Sequence, residues 1–299
     1  MNDAEKANAF ILANEGYDVW MGNNRGNNYS KAHLTLSPSE KDFWDYYQME
    51  MGLSDTPALI DFILSKTGNE NLSYIGHSQG TTQMFLGASL NPSYFKEKIN
   101  LFIALAPVAS TQYLKVDVLR AAANHIKVLQ FGLVRTLGFY NWFPPVSEGS
   151  AAIDTFCVFE PTLCETLASF VFDPEIDNMP RMEMGVGDLP AGQTYRAMVY
   201  YSQSINGSYR FSLYDYGAIK NKQIYGTKEP PVVPLDAYDI PTAFQSGSRD
   251  AFAPPEDVSW LTEQLGDKIV FNKEYDLNHM GFAIANDMSF FSVDAVALL

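Results

Sequence analysis

Leu72-Ser73-Tyr74-Ile75-Gly76-His77-Ser78-Gln79-Gly80-Thr81-Thr82 decides how this sequence is read. A short apolar run leads into a serine with a glycine two positions to either side, and residues 81–90 continue with helical character. A strand, a sharp turn and a helix in that order form a nucleophile elbow, which holds a serine hydroxyl clear of the backbone. The reversal forces a strained conformation at Ser78. A side chain at position 76 or 80 is expected to collide with the neighbouring strand and helix, hence Gly76 and Gly80. The helix that follows points its N-terminus at the reaction centre and leaves the backbone N–H of Gln79 to bind an oxyanion. The glycine–serine–glycine spacing is a weak signal by itself; the strand before it and the helix after it give it weight.

A nucleophilic serine needs a base, and the base needs an acid to orient it. The chain has four histidines. His77 lies inside the elbow, so its side chain is expected to project away from Ser78. His33 follows the polar stretch Asn27-Asn28-Tyr29-Ser30, and His125 falls in a helix predicted over 119–129. His279 follows a strand predicted over 268–271 and the run Asp276-Leu277-Asn278. Folds built around such an elbow order the three groups as serine, acid, histidine. His279 alone lies downstream of both Ser78 and a candidate acid-bearing strand. That strand is Pro241-Thr242-Ala243-Phe244-Gln245-Ser246-Gly247-Ser248, which breaks into a turn at Arg249-Asp250. Asp250 is the expected acid. Asp236, Asp239 and Asp257 read as solvated loop or helix-capping carboxylates. Ser78, Asp250 and His279 would then perform acyl transfer through a covalent intermediate.

The matching stretches extend well beyond the elbow. They are Gly16-Tyr17-Asp18-Val19-Trp20-Met21-Gly22-Asn23, Arg25-Gly26-Asn27, Leu36-Ser37-Pro38, Phe43-Trp44, Ile60-Asp61-Phe62-Ile63-Leu64, Gly76 through Thr82, Ala104-Leu105-Ala106-Pro107-Val108-Ala109, Pro190-Ala191-Gly192-Gln193 and Tyr214-Asp215-Tyr216-Gly217. Together they resemble the acid lipase family of the α/β-hydrolases, which includes gastric and lysosomal acid lipases and related sterol-ester hydrolases. The resemblance covers nearly the whole chain and is weakest in the middle third. It implies an α/β-hydrolase fold: a mostly parallel sheet with helices on both faces and an inserted helical cap. It also implies a triad at Ser78, Asp250 and His279, with triacylglycerol or sterol ester as substrate.

The expected organisation is a first core part over 1–109, a helical cap over 110–230 and a second core part over 231–299. In the first part a helix over 1–15 leads to a strand over 17–21, a long polar loop, a helix over 54–66, the elbow, and a strand over 99–105. The cap stretch is rich in aromatics, Met and short helical runs such as 131–143 and 156–172. An apolar cap above the nucleophile suits a substrate with acyl tails, although most of its aromatics would simply pack it against the core. The last part holds the acid's strand, a helix over 255–265, the strand over 268–271, the His279 loop and a final helix.

Family members also carry an upstream segment with the first strands of the sheet and a His-Gly loop that completes the oxyanion hole. The resemblance implies that these strands are not in this chain, which would leave a gap between 17–21 and the strand ending at Ser78. Unpaired buried N–H and C=O groups cost about 1–3 kcal/mol each, too much to repeat in a domain stable by about 5–15 kcal/mol. Three readings follow. The chain is a shortened form of a longer protein, another polypeptide completes the sheet, or the fold is rebuilt with catalysis lost. Without one oxyanion donor the rate falls about a hundred- to a thousandfold. The alternative function is therefore a catalytically impaired lipase-like scaffold or complex subunit.

Composition sets the remaining bounds. The 299 residues and 46% apolar content suffice for one large α/β domain with its cap. No run of apolar residues is long enough to span a bilayer, and the polar, partly acidic residues 1–8 do not form a signal peptide. The family implies secretion or lysosomal delivery; the sequence leaves the compartment open. A net charge of −15 argues against nucleic acid as a partner. No clustered Cys/His pattern or phosphate loop implies a metal or organic cofactor. Cys157 and Cys164 are read either as a bridge, which the family's closely spaced cap disulfide implies, or as two free thiols. The sequons at Asn28, Asn71 and Asn206 do not decide between compartments.

Overall fold

Ile99–Leu105 and Thr242–Gly247 are mainly apolar or small residues with almost every position buried, as expected of strands covered on both faces. The computed structural model describes residues 2–142, 169, 171–181 and 191–299. Within them a four-stranded sheet runs in chain order: β1 Leu72–His77, β2 Ile99–Leu105, β3 Thr242–Gly247 and β4 Ile269–Tyr275. All three pairings are parallel. Parallel neighbours need a crossover between them. The first consists of the helices Gln79–Leu90 and Pro92–Lys98, and the last contains the helix Pro255–Leu265. The middle crossover is the long excursion from β2 to β3, whose described helices include Asp117–Asn124 and Tyr195–Asn206. No helix among the described residues is long and apolar enough to cross a membrane.

The helix Gln79–Leu90 is buried over almost its whole length, from Thr81 to Ser89. Phe85 sits at its centre, 5.4 Å from the Phe102 ring of β2 and 6.0 Å from the Phe244 ring of β3. Each such buried ring contributes about 1.5–3 kcal/mol. The helix that carries the elbow is thereby fixed to the two central strands.

Two sequence expectations change. Residues 17–21 do not form a strand: Trp20 and Met21 are exposed, and Trp20 packs edge-on against Phe62 at 6.0 Å. The segment has strand propensity, but a strand forms only where a neighbour takes up its backbone groups, and the outer edge of β1 is not paired with it. β4 is longer than predicted, running on through Asn272, Lys273, Glu274 and Tyr275 as an edge strand with exposed faces. Cys157 and Cys164, read as either a bridge or two free thiols, lie outside the described residues, as does most of the predicted run over 156–172.

Candidate active site

The strand register brings three loops to one rim. His77 is opposite Leu105, Leu105 opposite Gln245, and Gly247 opposite Tyr275, so the carboxyl ends of the strands align. Ligands of open α/β sheets bind outside these ends. Ser78 follows β1 directly, Asp250 lies in the turn after β3, and His279 lies in the loop after β4.

Ser78 has φ 54° and ψ −115°, a left-handed conformation that favours glycine. Its surroundings hold it there. Its N–H donates to the Leu105 carbonyl at 3.1 Å. Its own carbonyl accepts from the Thr81 N–H at 2.8 Å and the Thr81 hydroxyl at 2.6 Å. A Cβ on Gly76 would stand 2.8 Å from the Gly80 carbonyl oxygen and 2.9 Å from the Tyr74 ring. The collision expected at position 80 is absent: the nearest atom to a Cβ there is the Tyr74 hydroxyl at 3.7 Å, an ordinary contact. Gly76→Ala is therefore expected to cost about 1–3 kcal/mol by overpacking, whereas Gly80→Ala changes stability little. Urea unfolding of the two variants checks this asymmetry.

Asp250 is 1% exposed and turns back on its own loop, where Oδ1 accepts from the N–H groups of Phe252 and Ala253, each at 2.8 Å. The His279 Nδ1 lies 2.8 Å from Oδ2 and 3.0 Å from Oδ1. Burial opposes ionisation of this carboxyl. The His279 ring and the two backbone donors outweigh burial and hold it below the usual carboxylate range. An ionised Asp250 can only accept, so Nδ1 of His279 carries the proton and Nε2 is left as a base. That Nε2 lies 2.7 Å from the Ser78 hydroxyl oxygen. The Phe252 ring packs against the imidazole at 5.1 Å between centroids.

Gln79 opens the elbow helix, so its backbone N–H has no acceptor within the helix. Its side chain accepts from the Gln193 amide and, at 3.4 Å, from Gln48. Gln193 belongs to a segment that fastens the crossover to the core. Its N–H donates to Asn141, and the neighbouring Thr194 hydroxyl donates to the Trp44 carbonyl.

The rival residues stand elsewhere. His33 closes a surface turn, with its Nδ1 accepting from the N–H of Thr35 and of Leu36. His125 is an exposed residue at the end of a helix. Asp239 pairs with Lys96 and Lys268 on the surface, Asp236 lies in a short turn of helix, and Asp257 accepts from the Ser110 hydroxyl and the Tyr113 N–H.

Sequence reasoning missed the supports of the histidine loop. The Asn278 side chain accepts from the Gly281 N–H at 2.7 Å and donates to buried Asp177 at 2.7 Å. The other Asp177 oxygen, Oδ1, has no partner among the described residues. Burial raises the Asp177 pKa, against the opposing hydrogen bonds from the Asp173 N–H and Asn278. A raised folded pKa means that the stabilisation is complete below the unfolded value and is lost as pH rises through the folded one. Asp177→Asn is expected to flatten this loss. Its gain over the parent should grow as pH rises from the unfolded carboxyl's value of about 4 towards neutral. Denaturation midpoints measured across that range test it.

Over residues 6–131 the chain matches the family described as alpha/beta hydrolase fold. It is 36% identical over 287 residues to human gastric triacylglycerol lipase, covering 93% of this chain and 70% of that protein. It is 34% identical over 285 residues to human lipase member K, with the same coverage of 93% and 70%. Among solved structures, an esterase from Exiguobacterium antarcticum superimposes with a TM-score of 0.52 at 13% identity, over 99% of this chain and 87% of that one. At that identity the likeness is one of fold. The relatives carry the closer assignment: the chain belongs to the acid lipase family of the α/β-hydrolases, a family of carboxylic-ester hydrolases.

Proposed function

We propose that the chain hydrolyses lipid esters, triacylglycerol or sterol ester, by acyl transfer through Ser78. The observation that supports this most is the continuous run of hydrogen bonds from the Ser78 hydroxyl through His279 to buried Asp250. In the first step the Ser78 oxygen bonds to the ester carbonyl carbon and its proton passes to the His279 Nε2. Asp250 holds the tautomer and balances the imidazolium. The developing oxyanion is met by the Gln79 N–H. Collapse breaks the carbonyl carbon–alkoxy oxygen bond, and the His279 proton goes to the leaving alcohol. Water then attacks the acyl-serine, gives one proton to His279, and releases the fatty acid as that proton returns to Ser78. In this reading 110–230 is the cap over the site, set between core parts 1–109 and 231–299. The hydrogen bond from the Gln193 amide to the Gln79 side chain supports a cap that reaches the residue after the nucleophile.

The test is fatty-acid release from emulsified long-chain triacylglycerol and from sterol ester, beside a short-chain water-soluble ester. Release from either lipid, lost in Ser78→Ala, is the expected result. Cleavage of the soluble ester alone would overturn the lipid assignment. A second reading, a scaffold or subunit whose sheet another polypeptide completes, draws on the outer edge of β1 and the unpaired segment 17–21. A folded chain inert to every ester would favour it.

A further inference from the structure

The side chain of His77, the residue before the nucleophile, reaches the histidine loop. Its Nε2 lies 2.8 Å from the backbone carbonyl oxygen of His279. A carbonyl can only accept, so Nε2 of His77 carries the proton and donates it. The His77 and His279 rings lie 4.9 Å apart, and Phe282, in the short helix after the histidine loop, stands 6.4 Å from His77. His279 is therefore held at three points: Nδ1 by Asp250, Nε2 by Ser78, and its main chain by His77. Only the third contact joins the backbone of the base to the strand end that carries the nucleophile.

We propose that His77 is a positioning residue for ester cleavage: its neutral imidazole ties the His279 main chain to the end of β1 and sets the reach of the base to Ser78. The role rests on the acyl-transfer reading above. Charge favours a neutral donor at this place. The titratable groups facing His77 are His279 and Asp250. Desolvation, and then His279, bring the His77 pKa down to about 4, so above that pH the ring donates without adding a cation beside the imidazolium that forms on His279. The elbow thus needs an uncharged N–H donor of this length at position 77. Leucine fills the volume without the bond; glutamine keeps a donor.

The experiment compares the parent chain with His77→Leu and His77→Gln. It measures kcat and KM for p-nitrophenyl butyrate, with the reactive fraction counted by fluorophosphonate titration. Loss of the tie displaces the base by a fraction of an ångström, and misplacement on the ångström scale costs up to about a hundredfold. His77→Leu is expected to lower kcat per reactive site by about ten- to a hundredfold with KM little changed, and His77→Gln to recover most of it. A lower reactive fraction at unchanged kcat per site would mean that His77 serves folding alone, which overturns the proposal and leaves the acyl-transfer reading standing. Equal loss in both variants also overturns it, since the donor would then not matter. If the parent chain does not react at Ser78, the acyl-transfer reading fails, and the positioning role with it.

Discussion

Ser78→Ala is expected to lower ester hydrolysis by about a millionfold, and His279→Ala by a similar factor, with the double variant no slower than either. The non-additivity follows from the geometry. With Nε2 2.7 Å from the hydroxyl, each group acts only through the other, so removing one leaves nothing for the second to do. The backbone makes a separate point. Ser78 keeps φ 54° whatever its side chain, so alanine inherits the strain. Ser78→Gly relieves it and should be more stable than Ser78→Ala by about 1 kcal/mol while equally inactive. Paired kinetics and thermal unfolding of Ser78→Ala and Ser78→Gly beside the parent separate the cost of the conformation from the role of the hydroxyl.

Asp250→Asn is expected to lower kcat by about ten-thousandfold with KM nearly unchanged. The size of the effect comes from which oxygen is replaced. Oδ1 accepts from both Phe252 and Ala253, so the amide oxygen of asparagine stays there. The amide NH2 then takes the place of Oδ2, 2.8 Å from the His279 Nδ1. A donor facing Nδ1 turns it into an acceptor and moves the ring proton to Nε2. The base then has no lone pair for the Ser78 proton. The same substitution changes the acid limb of stability. The Asp250 carboxyl sits below its ordinary range in the fold, so its contribution is present above the unfolded value and is lost as pH falls through the folded one. In Asp250→Asn that part of the acid destabilisation should be missing when denaturation is followed from neutral pH down to about pH 3.

The elbow and the order of Ser78, Asp250 and His279 were legible because each depends on local chemistry: a strand, a turn and a loop in sequence. The end of β4 was less so. Asn272, Lys273 and Glu274 carry no apolar alternation, since an edge strand exposes both faces and needs only its backbone paired to β3. Residues 17–21 misled for the opposite reason. Their pattern suits a strand, but pairing is settled by a neighbour that no local pattern contains. The ties that hold the histidine loop, His77 to His279 and Asp177 to Asn278, join residues 202 and 101 positions apart. A lone histidine or a buried aspartate gives no sign in sequence of such a contact. The asymmetry of the elbow glycines was likewise hidden, because it rests on how closely the Gly80 carbonyl folds back over Gly76.

Reaction of the chain with an active-site-directed fluorophosphonate, read by peptide mass mapping, bears most directly on the assignment of the nucleophile. Stoichiometric phosphonylation at Ser78, absent in Ser78→Ala and slowed by orders of magnitude in His279→Ala, is the expected result. A folded chain that stays unlabelled, or that is labelled elsewhere and equally in Ser78→Ala, would contradict it.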